Sequence, residues 1–230
     1  MSGGRRLLRR SLSVGAAGIL MVALAACTGR GGGYLPPGPN DASLLVNDSL
    51  HPDSLYTDPV LGEKFSSTVF TGQAPFGFDF SCEDKGGINP STGKLAIQLA
   101  YGDQGTSVLL GAPFSIHGIV DVVDPVLESA ICIGQNPPPT GNLIFLGRYR
   151  PTSTPPPGFP TSCPARETKT SSLCRFEVIV RDNDGNLAPS KGDFFSIKLS
   201  SATAVTSGLD ATTVFYARAG LLDGGNLTVN

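Results

Sequence analysis

The sequence predicts an all-β fold, an antiparallel β-sandwich or partly open barrel of about ten strands in a single domain. Three observations predict it. Apolar residues alternate with polar ones at a two-residue period in short runs from about residue 64 to the C-terminus, the pattern of strands with one face in a core and one in water. Gly, Pro, Asn and Asp break these runs at short intervals, as turns between strands require. Beyond residue 26 no stretch combines a helical period with capping residues.

Arg5, Arg6, Arg9 and Arg10 precede an apolar stretch from Val14 to Ala26. That stretch is shorter than the roughly 20 apolar residues a permanent membrane helix needs. A basic start, a short apolar run and small residues at its end describe a signal peptide over residues 1–26. Its end, Leu24-Ala25-Ala26-Cys27, resembles the lipobox of bacterial lipoproteins. The resemblance implies that the Cys27 thiol takes a diacylglycerol, that the chain is cut before it, and that the new amino group is acylated. Each buried methylene of such chains contributes about 0.8 kcal/mol, so two or three chains anchor stably. The implied location is the cell envelope, on the outer side of the cytoplasmic membrane or in the outer membrane. An ordinary secretory peptide with a chance cysteine is the competing reading. Arg9-Arg10-Ser11-Leu12 also resembles part of a twin-arginine export signal, with a merely basic leader as the alternative.

Residues 27–60 are expected to form a lipidated N-terminus, a tether and a lead-in. Residues 28–40 hold glycine and proline at a density that builds no core, so they are expected to be a stalk. Residues 41–60 are expected to be irregular, with Leu44, Leu45 and Val46 pinning them to the globular domain over residues 61–230.

The strands follow in order. Ala74, Phe76, Phe78, Phe80 and Cys82 alternate with Gly77, Asp79 and Ser81. Leu95, Ile97, Leu99 and Tyr101 form the next run, and Phe114, Ile116, Val120 and Val122 the one after. Cys174, Phe176, Val178 and Val180 alternate with Arg175, Glu177 and Arg181. Phe195, Ile197 and Leu199 alternate with Ser196 and Lys198, and Leu227 and Val229 close the chain. The inward phenylalanines take the place of the absent tryptophan. Two proline-rich interruptions, residues 135–141 and 151–164, lack the amide donors a ladder needs and are expected to be surface loops.

Removing the leader's four arginines from the 17 basic residues leaves 13 against 19 acidic ones, a net charge near −6. A nucleic-acid partner would want a basic patch, and no basic cluster follows Arg30. Four cysteines follow Cys27: Cys82, Cys132, Cys163 and Cys174. An even number in an exported chain favours disulfides, here Cys163 with Cys174 and Cys82 with Cys132. Zinc is the alternative, but the spacings are not C-x-x-C and only His51 and His117 are at hand.

The C-terminal third has a distinctive layout. Phe176-Glu177-Val178-Ile179-Val180-Arg181-Asp182-Asn183-Asp184-Gly185 leads to Gly192-Asp193-Phe194-Phe195-Ser196-Ile197, then Tyr216-Ala217-Arg218-Ala219-Gly220 and Gly224-Gly225-Asn226-Leu227. This resembles the post-choice-of-anchor domain, a β-sandwich-like module at the ends of many secreted bacterial proteins. Phe76-Gly77-Phe78-Asp79-Phe80 and Gly93-Lys94-Leu95 are similar to that module's opening hairpin. The resemblance spans residues 68–230, departs from the layout over residues 128–164, and implies no activity.

Candidate chemistry is sparse. Asp182, Asp184, Asn186 and Asp193 could supply part of a calcium shell, which takes six to eight oxygens. The terminal glutamate of an EF-hand is missing, and the same residues suit a hairpin turn. His117, near Asp121 and Asp124, has no serine on a strained turn to activate and is expected on an outward strand face. Asp79 and Glu83 could be imagined as a glycosidase acid pair, but nothing else supports it. The expected function is a non-catalytic, membrane-anchored module for surface binding, adhesion or envelope structure, with a glycan or protein ligand at the cell surface. The alternatives are an envelope hydrolase acting on glycans or esters and a pure spacer.

Overall fold

A computed structural model describes residues 26–41, 64–83, 94–105, 110–119, 142–168, 172–182, 192–203, 209 and 211–229. Their strands are β1 (Ala26–Leu35), β2 (Gly38–Pro39), β3 (Val69–Phe70), β4 (Ala74–Glu83), β5 (Lys94–Asp103), β6 (Phe114–Ile119), β7 (Asn142–Pro151), β8 (Cys174–Arg181), β9 (Phe194–Ser200), β10 (Val214–Leu221) and β11 (Gly224–Val229). Helix among the described residues is confined to short turns at 64–66 and Ala211–Thr213.

Nine strands form one antiparallel sheet in the order β10-β9-β8-β7-β6-β5-β4-β1-β11, and β2 pairs with β3 in a small second ladder. From β4 to β10 each strand pairs with the next in sequence. The last strand breaks that rule, because β11 pairs with β1 at the opposite edge from β10. Only Leu222 and Asp223 separate β10 from β11, and three peptide units reach about 11 Å at most. The sheet must therefore curl until its two edges nearly meet, giving a half-barrel. The corner is held by Leu222 N–H donating to the Asp193 carbonyl (2.9 Å) and Asp223 N–H donating to the Tyr34 carbonyl (3.3 Å).

Curling brings aromatic side chains of the two halves together. Phe76 of β4 stacks on Phe195 of β9 with ring centroids 3.8 Å apart. Phe145 of β7 lies 5.5 Å from both Phe78 and Phe80, and Phe114 meets Tyr216 edge-on at 4.9 Å. All are buried, as is the expected run Ala74, Phe76, Phe78 and Phe80. Each such side chain contributes roughly 1.5–3 kcal/mol by leaving water.

Two expectations need correction. Residues 28–40 are not a stalk: β1 occupies 26–35, inside the sheet between β4 and β11. Its glycines are there because the neighbours leave no room. A Cβ on Gly31 would lie 2.6 Å from the Asn226 carbonyl oxygen and from Leu227 Cδ2, and one on Gly29 would strike Leu143. A run that looks like flexible linker is instead a strand stripped of side chains for close approach. Nor do β8 and β9 have a wet face. Arg175, Glu177, Ser196 and Lys198 are each 1% exposed, so both faces of these strands are covered and their polar residues must find partners. Pro151 still ends β7 opposite Ile116, but residues 152–164 do form a loop outside the sheet, tied down by the buried Phe159 and Cys163. The expected loop at 135–141, the lead-in at 42–60 and the strand residues Val120 and Val122 lie outside the described residues.

Candidate functional site

The sheet edge at β10 is where polar chemistry and an open surface meet. Arg218 sits midway along β10 and is buried. Its Nη1 lies 3.2 Å from Asp103 Oδ1 at the end of β5. Its Nη2 donates to the Pro36 and Gly72 carbonyls at 2.8 Å each and, more weakly, to the Leu35 carbonyl at 3.4 Å. The guanidinium also lies over the Phe70 ring, 4.2 Å from its centroid, a favourable cation–π contact. One side chain thus ties β10, β5, the segment after β1 and the segment after β3 to each other.

Asp103 completes the cluster. Its Oδ2 accepts the Tyr216 hydroxyl at 2.7 Å, and its Oδ1 accepts the Gly105 N–H at 3.0 Å. The Tyr216 proton is committed to Asp103, so Tyr101, 2.5 Å away, is the donor in the Tyr101–Tyr216 hydrogen bond. Burial first, and the nearby Asp103 carboxylate after it, push the Tyr101 phenol well above its ordinary range. Burial, then Tyr101 and Asp103, do the same to Tyr216. These phenols stay protonated, so neither is an activated nucleophile or base. The cluster is a clasp.

Asn40 extends the clasp along the strand edge. Its side-chain oxygen accepts the Ala219 N–H (2.8 Å) and its amide donates to the Ala217 carbonyl (3.2 Å), while Asp41 N–H donates to the Ala219 carbonyl. One asparagine imitates a partner strand and shields an edge that would otherwise invite pairing.

Outside the clasp lies a groove of about 290 Å³, lined by Leu35, Pro36, Pro37, Pro39, Phe70 and Leu221 among others. Leu221 in its lining is 53% exposed; with Val69 of β3, 52% exposed, it is one of the large apolar side chains left in water among the described residues.

The remaining candidates are scattered. The structure joins Cys163 to Cys174 by a disulfide, Cα atoms 5.2 Å apart, beside the buried Tyr149 hydroxyl. Cys27 and Cys82 are direct partners in the β1–β4 register, and Cys132 lies outside the described residues. Asp182 and Asp193 flank the β8–β9 connection. Asp182 Oδ2 accepts the Val229 N–H (3.4 Å), while Asp184 and Asn186 lie outside the described residues. No group of three or more His, Cys, Asp or Glu that could hold a metal occurs among the described residues. His117 is half-buried opposite Ala100 and Arg150, and Asp121 and Asp124 are not described. Asp79 is exposed opposite Arg30 and Gln98, and Glu83 is registered with Ala26 and Lys94. The two carboxylates are four residues apart on one strand rather than facing each other across a cleft.

No family model matches the chain, and no curated protein or solved structure matches it. Sequence patterns missed both the groove and the clasp. The one available signal was Arg218 itself, a lone charge inside Val-Phe-Tyr-Ala-Arg-Ala-Gly, where a strand edge could keep it only with a buried partner.

Proposed function

We propose that this is an exported lipoprotein, anchored through Cys27, whose β domain is a non-catalytic module that binds at the cell surface. The leader carries the anchoring half. The observation that carries the binding half is the groove beside β10, concave, lined mainly by Leu35, three prolines, Phe70 and the exposed Leu221, with Asp41 and Arg218 as its charged members. Its lining favours an apolar stretch of a partner protein over a glycan, because a sugar needs convergent polar side chains. Arg218, the basic group at the groove, already serves Asp103, three backbone carbonyls and the Phe70 ring. An acylated Cys27 would stand at the start of β1, so the domain would lie against the membrane surface without a stalk.

Two measurements test this. Intact mass of the chain made in a bacterium should match residues 27–230 plus acyl chains, and Cys27→Ser should abolish acylation. A photo-crosslinking amino acid at Leu221 should then trap a discrete adduct in cells that the same probe at exposed Gln98 does not. Equal labelling from both positions would remove the groove from the proposal.

A further inference from the structure

In the β1–β4 pair, Cys27 stands directly opposite Cys82. The same register sets Gly29 against Phe80, Gly31 against Phe78 and Gly33 against Phe76, so both cysteines fall on the alternation that carries the core phenylalanines. Directly opposed residues of an antiparallel pair have Cα atoms roughly 4.5 or 5.5 Å apart, depending on their hydrogen-bonding position, and their Cβ atoms leave the same face of the sheet. Disulfides form at Cα separations of about 4.4–6.8 Å. Either kind of position therefore meets the Cα requirement, and the closer, non-hydrogen-bonded kind meets it with the least adjustment of the Cβ atoms. The chain already holds one disulfide, between Cys163 and Cys174.

We propose that Cys27 and Cys82 form a cross-strand disulfide in every molecule whose Cys27 is not acylated. The step is an exchange. One thiolate attacks the oxidant's disulfide and releases one thiol, the other cysteine attacks the mixed disulfide and releases the second, and the two cysteines lose two protons and two electrons to the two thiols formed. The consequence is a choice of fate at one sulfur. Acylation consumes the Cys27 thiol and leaves Cys82 free to seek Cys132. Oxidation consumes the same thiol, staples β1 to β4, and blocks lipid attachment. The inference shares only Cys27 with the proposed anchor.

Cell-free translation of the full chain supplies unacylated protein, which is oxidised with glutathione disulfide, blocked with N-ethylmaleimide and digested with trypsin without reduction. The five cysteines fall in separate peptides: residues 11–30, 65–85, 95–148, 149–166 and 170–175. The expected product links 11–30 to 65–85, persists in Cys132→Ser, and gives way to a maleimide adduct on Cys27 in Cys82→Ser. A link from 65–85 to 95–148, or a maleimide on Cys27 in the unmutated chain, overturns the proposal. Failure of the lipoprotein proposal reads out separately, as absence of acyl groups on protein made in cells, and leaves this link intact.

Discussion

Single residues in this fold are governed by burial. Glu177 and Lys198 are cross-strand neighbours whose charged atoms lie 2.5 Å apart, with side chains 1% and 2% exposed. Breaking such a pair strands one charge where water cannot reach it, at about 3–5 kcal/mol. Glu177→Gln is expected to lower the urea midpoint accordingly. The double change Glu177→Leu with Lys198→Met should restore most of the loss, because a matched apolar pair has no charge to desolvate. A double variant as unstable as the single one would show that the pair does more than neutralise itself. Burial also sets an alkaline limit. Tyr101, Tyr149 and Tyr216 have phenol pKa values raised above the ordinary 10.0, chiefly by burial. The folded state then keeps protons that the unfolded chain releases above pH 10.0. Their contribution is whole below that pH and declines above it, by up to about 1.4 kcal/mol per pH unit for each tyrosine. Absorbance titration should show these three ionising together with unfolding rather than before it.

Elements in this fold are decided by what lies beside them. Strand β1 has glycine at 29, 31, 32 and 33, a composition that isolated propensity assigns to loops. Inside the sheet, β11 on one flank and β4 on the other supply its hydrogen bonds. Gly31→Val is expected to cost at least about 3 kcal/mol by forcing a side chain against the Asn226 carbonyl and Leu227. Gly77→Ala, where a Cβ would meet the Gly31 carbonyl at an ordinary 3.8 Å, should change stability by less than about 1 kcal/mol. Urea unfolding of both separates crowding from the general effect of losing a glycine. Equal losses would show that β1 is not closely embraced.

For the molecule as a whole, closure depends on the N-terminus. Strand β11 reaches the sheet only through β1, and Arg218 holds the segment after β1 against β10. Deleting residues 27–35 would leave β4 with an unpaired edge and β11 without a partner. Exposed edges template association, so this deletion is expected to elute from size-exclusion chromatography as oligomers or aggregate, while the full-length domain elutes as a monomer. A monomeric deletion with native-like circular dichroism would place β1 outside the cooperative unit.

The strands β4, β5, β6, β8, β9 and β11 were legible in the sequence because each buries alternate side chains along one face, such as Phe76, Phe78 and Phe80 in β4 and Leu227 and Val229 in β11. A two-residue period survives in any strand with such a face, whatever lies on its other side. The clasp and the groove were not legible. Asp103 and Arg218 are 115 residues apart, and nothing local marks either as the other's partner. The wet face expected on β8 and β9 failed for a related reason. Alternation reports which residues are polar, but only neighbouring chain decides whether polar residues face water or a buried counter-charge. The sequence alone thus determined the all-β class and most of the strand positions, since these follow from local periodicity and composition. Tertiary structure alone decided that a glycine run is an interior strand, that the two sheet edges meet across two residues, and that Cys27 stands opposite Cys82, because each depends on contacts between residues far apart in the chain.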